Sequence, residues 1–306
     1  MKALVIMSYL SSPLGQRLWP VALLLVSMSA IQSGAALAHG LFAAAGPAGT
    51  TSIRLIIAAV LLVALFRPWR HTVGPRAWRT IILYGLAMGT MNFLLYQALA
   101  RIPLGIAVAL EFTGPLLVAV VSSRRALDGL WVVIAVGGLA VLLWPDQSIS
   151  GPLDPVGVAC ALGAGVCWAL YIVFGQRAGA SHGLQSAVLG TVVAALFIAP
   201  IGVLEAGSAL LSPHVLMLGA FVAVLSTALP YTLEMIALPR LPRATFGTLM
   251  SLEPAVGALS GLLFLGQTLG LLQWLAVGAI MLASIGTTLT PDNRVTDRAY
   301  EAPRPD

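Results

Sequence analysis

The chain has 306 residues, of which 59% are hydrophobic and only 9% are charged, and its formal net charge at pH 7 is +5. Soluble domains carry about 25% charged residues, so this composition excludes a water-soluble enzyme or binding module. It predicts an all-α integral membrane protein, because helices satisfy their own backbone hydrogen bonds in lipid.

Ten apolar segments have about the length of a transmembrane helix, which is close to 20 residues. The connections are short, so no soluble domain is expected between spans. Residues 1–17 and 291–306 are predicted to be tails, the second polar and disordered. In chain order the predicted spans are Leu18–Ala38, Thr50–Phe66, Arg79–Ala100, Leu104–Ser122, Asp128–Trp144, Val156–Gly175, Leu184–Val203, Pro213–Met235, Ala244–Leu265 and Gly270–Leu289.

Lysines and arginines fall almost entirely on one side of these spans. If the N-terminus lies in the cytoplasm, the outer loops contain only Arg101 and Arg54 lies within a span, while all others fall in cytoplasmic segments or at the cytoplasmic end of a span. This bias follows the positive-inside rule. It predicts that both termini are cytoplasmic, and it explains the positive charge without a nucleic-acid partner.

A short internal repeat divides the spans into two groups of five. ALARIP, which begins at residue 98, recurs as ALPRLP at residue 237, and the resulting offset of 139 residues also places Pro115 on Pro254. Because five is odd, the second group must enter the membrane inverted relative to the first, as in many secondary transporters. The sequence therefore predicts ten transmembrane helices in two inverted five-helix repeats, at 18–145 and 156–290.

Two carboxylates lie inside apolar runs, where an ionisable group costs about 2.5–3.5 kcal/mol on insertion scales. Glu111 lies in the fourth span and Glu253 in the ninth, and Pro115 and Pro254 are predicted to kink these two helices beside the acids. Small residues share a helix face with each acid, so both are expected to face the bundle interior. An acid beside a broken helix indicates a binding site; the alternative is that each Glu only braces neighbouring helices.

Further polar side chains occur at comparable depth. Gln32, Asn92 and Tyr96 are predicted to lie with Glu111 in the outer half of the membrane. Arg54, in the second span, is expected either to extend its side chain to the outer interface or to pair with Glu111.

A second polar cluster is predicted in the inner half, formed by Trp168, Tyr171 and Tyr231, with a kink at Pro230. Two clusters at different depths would suit a pathway with two gates. The alternative for the aromatic residues is interfacial anchoring or core packing.

Several sequence motifs for enzymatic chemistry are missing. The chain contains no phosphate-binding Gly-Lys-Ser/Thr loop and no HExxH or CxxC sequence. His39 and His214 are not accompanied by other residues that would complete a metal site. We therefore expect neither enzymatic activity nor a cofactor or resident metal.

Longer stretches of the chain resemble a known family. Ten spans in two inverted groups resemble the EamA-type transporters of the drug/metabolite transporter superfamily. A narrower resemblance, to the bacterial inner-membrane exporters of threonine and homoserine, is carried by LGIAVALEFTGPL, SSRR, ALGAGVCWALYI, GQRAGA, LSTALPYTLEMIAL and FGTLMSLEP. It extends from about Leu18 to Leu289 and departs at Gln267, where this family usually has Glu.

The resemblance implies export of small polar amino acids across the bacterial inner membrane, driven by protons. Glu111 is then expected either to receive the substrate ammonium or to exchange a proton for it, and Arg54, Asn92 and Tyr96 are candidate donors to the substrate carboxylate. The remaining candidate site residues are Gln32, Glu253, Trp168, Tyr171 and Tyr231. Two alternatives remain open: the same fold exporting another metabolite or drug, and a membrane scaffold that transports nothing.

Overall fold

The computed structural model describes residues 13–70, 73–122, 126–143, 153–182, 184–230, 233, 237 and 248–289, and every regular element in these ranges is helical. Short 3₁₀ helices at Pro68–Arg70 and Gly207–Leu211 and a π-helical turn at Val224–Ala228 accompany the α-helices. The α-helices are α1 (Pro13–His39), α2 (Phe42–Phe66), α3 (Pro75–Leu99), α4 (Leu104–Glu111), α5 (Thr113–Ser122), α6 (Ala126–Leu142), α7 (Pro155–His182), α8 (Leu184–Ala206), α9 (Pro213–Ala223), α10 (Glu253–Leu265) and α11 (Leu271–Leu289).

Six segments of the described chain are long and apolar enough to cross a membrane, and four shorter apolar helices accompany them. Together these ten segments occupy the places of the ten predicted spans. The six are Leu18–His39, Phe42–Phe66, Pro75–Leu99, Pro155–Ala178, Gln185–Leu211 and Thr248–Leu265, and the four are Leu104–Val118, Gly129–Leu142, Pro213–Ala228 and Leu271–Gly286.

The second span begins earlier than the predicted Thr50. Helix α2 starts at Phe42 and passes through Gly46, whose φ of 63° and ψ of 170° are not helical. Only glycine adopts this backbone conformation readily, and the following Pro47 is tolerated because it occupies the first turn of the helix that restarts there. The Glu205 side chain supports the restart by accepting a hydrogen bond from the Ala48 N–H at 3.2 Å.

Helix α4 lies at the centre of the bundle, and all eight of its residues are buried. Its side chains belong to a hydrophobic cluster with parts of α1, α3, α7 and α11. Helix α4 packs on α7 and α10, and α5 packs on α7. Around this centre, α2 packs on α8 and α9, α3 packs on α7 and α8, and α6 packs on α11. Helix α1 packs on α10 and on the π-helical turn. Helix α4 is therefore inside the protein, whereas α10 buries the face that carries Glu253 and exposes Leu262, Leu263 and Phe264.

Candidate functional site

The fourth span is broken next to Glu111. Helix α4 ends at this residue and α5 begins at Thr113, with Phe112 between them. Pro115 has no N–H, so the Glu111 carbonyl lacks its normal helical donor. The Thr113 hydroxyl donates to the Leu110 carbonyl at 2.6 Å, which satisfies another backbone acceptor at the break.

Helix α7 approaches the backbone of the fourth span closely at this break. A Cβ added to Gly165 would lie 2.8 Å from the Glu111 carbonyl oxygen, and one added to Gly114 would overlap the Gly165 carbonyl oxygen. Only glycine at both positions allows the two backbones to touch. The consequence is that Glu111 lies at the end of a short helix beside a tight helix crossing.

The ninth span is broken in a corresponding place. Ser251 and Leu252 form a turn between the helical residues 248–250 and α10, so Glu253 is the first residue of α10 and Pro254 lies in its first turn. A proline is well tolerated there because the first N–H groups of a helix have no intrahelical partner. Glu253 is thus at the amino end of a helix and not near its middle, as its position in the predicted span suggested.

Helices α4 and α10 run antiparallel. A Cβ added to Gly105 would lie 2.6 Å from the Ala258 Cα, and one added to Gly257 would lie 3.2 Å from the Val108 side chain. Residue numbers therefore rise along α4 as they fall along α10. This register brings Glu111 level with the first turn of α10, where Glu253 lies.

Both acids are buried, and their partners differ. Glu111 is 4% exposed and Glu253 is 6% exposed. Glu253 accepts a hydrogen bond from the Gln32 amide at 3.3 Å, whereas the Glu111 carboxylate makes no hydrogen bond to the described residues. Glu253 and Arg54 are both close enough to act electrostatically on Glu111.

Arg54 lies inside the bundle and does not extend to the interface. Its side chain is 7% exposed, and its guanidinium donates to Asn92 Oδ1 and to Ser226 Oγ at 3.3 Å. The Cζ atom also lies 4.9 Å from the centroid of the Tyr96 ring, within the range of a cation–π interaction. Arg54, Asn92 and Tyr96 are therefore in contact, and Glu111 is a longer-range neighbour.

Two donors in this cluster make no hydrogen bond to the described residues. They are the Nε of Arg54 and the hydroxyl of Tyr96, and both atoms are buried. A buried donor without a partner costs about 1–3 kcal/mol. Such groups are available to a ligand that brings acceptor oxygens.

Ser226 is a site residue that the sequence analysis missed. It lies in the π-helical turn Val224–Ala228, which immediately precedes Leu229 and Pro230, and its hydroxyl donates to the Val222 carbonyl at 2.7 Å. Pro230 cannot donate to the Ser226 carbonyl, and π-helical turns are common at functional sites. The sequence signal that could have identified Ser226 is its position four residues before a proline within a predicted span.

The structure describes two of the three residues of the predicted inner cluster, Trp168 and Tyr171. Trp168 packs edge-on against Phe112 at the break in the fourth span, with ring centroids 5.7 Å apart. Tyr171 stacks on Tyr84 at 4.9 Å, among residues of α2, α3 and α8, and this contact is separate from the acids. Tyr231 lies outside the described residues.

Gln267 has a role that its residue type did not indicate. It follows α10, and its side-chain oxygen accepts a hydrogen bond at 2.9 Å from the N–H of Leu104, the first residue of α4. An amide performs this capping role without a charge. The helix that carries Glu111 at its carboxyl end is thus held at its amino end by the segment that follows α10.

The site has the chemistry of a receptor for a small polar molecule. It combines a guanidinium, two amides, two hydroxyls and two carboxylates from α1, α2, α3, α4, α10 and the π-helical turn. Among the described residues, no group of three His, Cys, Asp or Glu side chains could hold a metal ion.

Comparison with known proteins defines the family. A family model described as "EamA-like transporter family" matches residues 155–289. The threonine/homoserine exporter RhtA of Escherichia coli K12 is 54% identical over 271 residues, which cover 89% of this chain and 92% of that protein. RhtA of Salmonella typhimurium LT2 has the same identity and coverage. The chain belongs to the EamA-like transporter family.

Membership of this family makes the protein a multi-pass membrane transporter of the drug/metabolite transporter superfamily and not an enzyme, as the sequence predicted. A solved structure described only as "Crystal structure of protein" matches with a TM-score of 0.55 and 20% identity, covering 88% of this chain and 99% of that chain. At this identity the match supports a shared fold and carries no information about substrate.

Proposed function

We propose that this protein is a secondary-active exporter of small polar amino acids, L-threonine and L-homoserine first among them, that works by proton antiport and alternating access in the bacterial inner membrane. The observation that carries the substrate proposal is the 54% identity, over 89% of the chain, to proteins named threonine/homoserine exporters. At that similarity, the buried polar residues of the site are expected to serve the same class of substrate.

The chemistry of the site fits a zwitterion. A substrate carboxylate needs donors, and Arg54 provides a guanidinium with an uncommitted Nε next to the uncommitted hydroxyl of Tyr96. Asn92 and Ser226 hold the guanidinium, and a carboxylate would replace them with a charge-assisted pair.

The substrate ammonium needs an anion, and Glu111 supplies one. Its carboxylate is buried without a hydrogen bond to the described residues, so a cation that reaches it gains a partner that nothing else competes for. A proton and an ammonium group are alternative cations for this position. Their alternation at one carboxylate is the simplest physical basis for exchange of substrate against protons.

The helix contacts support two inverted five-helix repeats. If α1, α2 and α3 correspond to α7, α8 and α9, if α4 and α5 correspond to the ninth span, and if α6 corresponds to α11, then the main contacts have counterparts. Helices α2 and α8 pack on each other, as do α6 and α11, while α3–α8 matches α9–α2 and α5–α7 matches α10–α1. Alternating access by rocking of one repeat against the other needs this pseudo-symmetry.

The four short helices belong to this scheme as spans that continue into adjoining segments. The charge distribution supports cytoplasmic termini, because Arg101 is the only basic residue assigned to an outer loop. Export would then carry substrate from the side of the termini to the side of the α1–α2 turn.

Inside-out vesicles test this function directly. Their lumen corresponds to the outside of the cell, so an acid lumen should drive labelled threonine inward, and an uncoupler should abolish the accumulation. Unlabelled homoserine should compete with threonine. If neither amino acid is taken up while an unrelated solute is, the assignment as a transporter stands and the proposed substrates are wrong.

A further inference from the structure

A column of ring contacts connects the carboxyl end of α1 to Arg54. His39 and Phe42 have ring centroids 4.9 Å apart, and Phe42 and Tyr96 have centroids 5.8 Å apart. The opposite end of the column is the Arg54 guanidinium, 4.9 Å from the Tyr96 centroid. Tyr96 is 1% exposed and Phe42 is half-buried, so the column separates Arg54 from the α1–α2 turn.

The segment that carries Phe42 has a hinge. Residues 42–45 are helical, but the backbone at Gly46 leaves the helix with a φ of 63° before α2 restarts at Pro47. The hydrogen bond from the Ala48 N–H to Glu205 fixes the restarted helix to α8. Movement of residues 40–45 about Gly46 would therefore displace Phe42 without displacing Arg54.

We propose that Phe42 and Tyr96 form an outer gate over Arg54, and that Tyr96 is the positioning residue that connects the gate to the substrate site. Its ring is attracted to the guanidinium on one side and packs on Phe42 on the other. A substrate carboxylate that pairs with Arg54 neutralises the charge that attracts the ring. The ring is then released, and the segment of Phe42 can open about Gly46. The role assigned to the carboxylate and the outer side of the gate rest on the proposed function; the contacts of the two rings do not.

The ring of Tyr96, and not its hydroxyl, closes this gate. The hydroxyl makes no hydrogen bond to the described residues, so it does not hold the ring in place. Tyr96→Phe therefore keeps the ring contacts with Phe42 and Arg54, while Tyr96→Leu removes them. These two variants form a matched pair that separates the ring from the hydroxyl.

Thr50 is the reporter position behind the gate, and because its hydroxyl donates to the Gly46 carbonyl at 2.7 Å, every variant is compared in the same Thr50→Cys background. It is 0% exposed and lies four residues before Arg54, on the same face of α2 and one turn nearer to Gly46. The chain has two native cysteines, Cys160 and Cys167, which can be replaced by Ala. The Thr50→Cys protein is then exposed, in right-side-out vesicles, to a membrane-impermeant maleimide, and the labelling rate is measured.

We expect slow labelling when the gate is intact. Phe42→Leu and Tyr96→Leu should each raise the rate about fivefold, because an aromatic or cation–π contact of this kind is worth on the order of one factor of five to ten. Tyr96→Phe should leave the rate within about twofold of the parent. Thermal unfolding of each variant shows that the comparison is made between folded proteins, and Phe42→Leu, at a half-buried position, serves where Tyr96→Leu lowers the folded yield.

The threonine response separates the gate from the substrate assignment. Saturating threonine should raise labelling of the parent protein. If the Leu variants open the gate and threonine has no effect while another solute does, the gate stands and the proposed substrate fails. If threonine raises labelling but both Leu variants leave the rate unchanged, the gate is overturned while the function stands. Equal opening by Tyr96→Phe and Tyr96→Leu would also overturn the role of the ring.

Discussion

Glu111 is the last residue of helix α4 and Glu253 is the first residue of helix α10, and the antiparallel packing of these two helices brings the two carboxylates to the same level. The two helix ends have opposite polarity. The amino end of a helix carries a partial positive charge and free N–H groups, while the carboxyl end carries a partial negative charge and free carbonyls. The carboxylate of Glu253 is complemented by its helix end and by Gln32, whereas Glu111 has neither. A cation is therefore attracted to the Glu111 end of α4.

Replacing Glu111 by Gln should reduce threonine export by a factor on the order of ten or more. A charge-assisted hydrogen bond contributes about 1.5–3 kcal/mol, and Gln keeps the size and the acceptor oxygen while removing the charge. Export from loaded vesicles across a range of external pH is the measurement, and rate and pH dependence should change together.

Glu253→Gln provides the comparison for this prediction. The Gln32 amide can donate to the oxygen of Gln as it does to the carboxylate, so we expect a smaller loss than at Glu111. Normal pH-dependent export by Glu111→Gln, with the protein folded in the membrane, would mean that Glu111 only braces neighbouring helices.

Replacing Arg54 by Lys should reduce export about tenfold or more, although the positive charge is kept. A lysine has no planar fork, so it cannot contact Asn92, Ser226 and the Tyr96 ring together, and each buried partner left unpaired costs about 1–3 kcal/mol. Export by Arg101→Lys is the matched control, because Arg101 forms an exposed ion pair with Asp154 at 3.7 Å, and such pairs contribute about 0–1 kcal/mol. Equal export by the two variants would contradict the role of Arg54.

Adding a methyl group at Gly114 should destabilise the protein by about 1–3 kcal/mol, the usual cost of overpacking a tight contact. Its Cβ would overlap the Gly165 carbonyl oxygen, which belongs to backbone and cannot rotate away. Gly137→Ala, where a Cβ would meet nothing within 4 Å, is the control. Thermal unfolding in detergent checks both, and equal midpoints would mean that the crossing of α5 and α7 is looser than described.

The features that sequence reasoning captured are those with a local cause. Prolines act on the backbone four residues before them, so Pro115 and Pro254 mark where the helices end, and the breaks at Phe112 and at Ser251–Leu252 lie beside these prolines. Apolar length and composition likewise mark helices that need lipid, because that signal is contained in each segment.

The features that it missed depend on contacts between distant segments. The restart of α2 at Pro47 is supported by Glu205, which is remote in sequence, and from local sequence alone the Gly46–Pro47 pair resembles a loop. The earlier start places Arg54 twelve residues into α2, so interfacial exposure was an available but wrong alternative. The contact of Ser226 with Arg54 requires the π-helical turn, which has no simple sequence signature.

Reporter fusions should place residues 40 and 74 on opposite sides of the membrane. Gly40 lies in the turn between α1 and α2, and Gly74 immediately precedes α3. Since one span, α2, separates them, alkaline phosphatase should be active when fused after Gly40 and inactive when fused after Gly74. The reverse pattern would mean that the protein has the opposite orientation in the membrane. Equal activity at both sites would contradict the assignment of α2 as a span.

Removing the side chain of Gln267 should lower both stability and export. Its oxygen caps the N–H of Leu104, and loss of a helix cap costs about 0.5–2 kcal/mol. Because α4 has only eight residues and ends at Glu111, a shift at its first residue is transmitted to the acid. Gln267→Glu should restore export, since a carboxylate accepts the same hydrogen bond and suits the amino end of a helix.

Gln273→Ala is the matched control for this prediction. Gln273 accepts a comparable hydrogen bond from the Gly270 N–H at 2.9 Å, at the start of α11, so its loss should lower the unfolding midpoint similarly. If Gln273→Ala impairs threonine export as much as Gln267→Ala at equal stability, the effect is one of general stability, and Gln267 has no specific role in positioning Glu111.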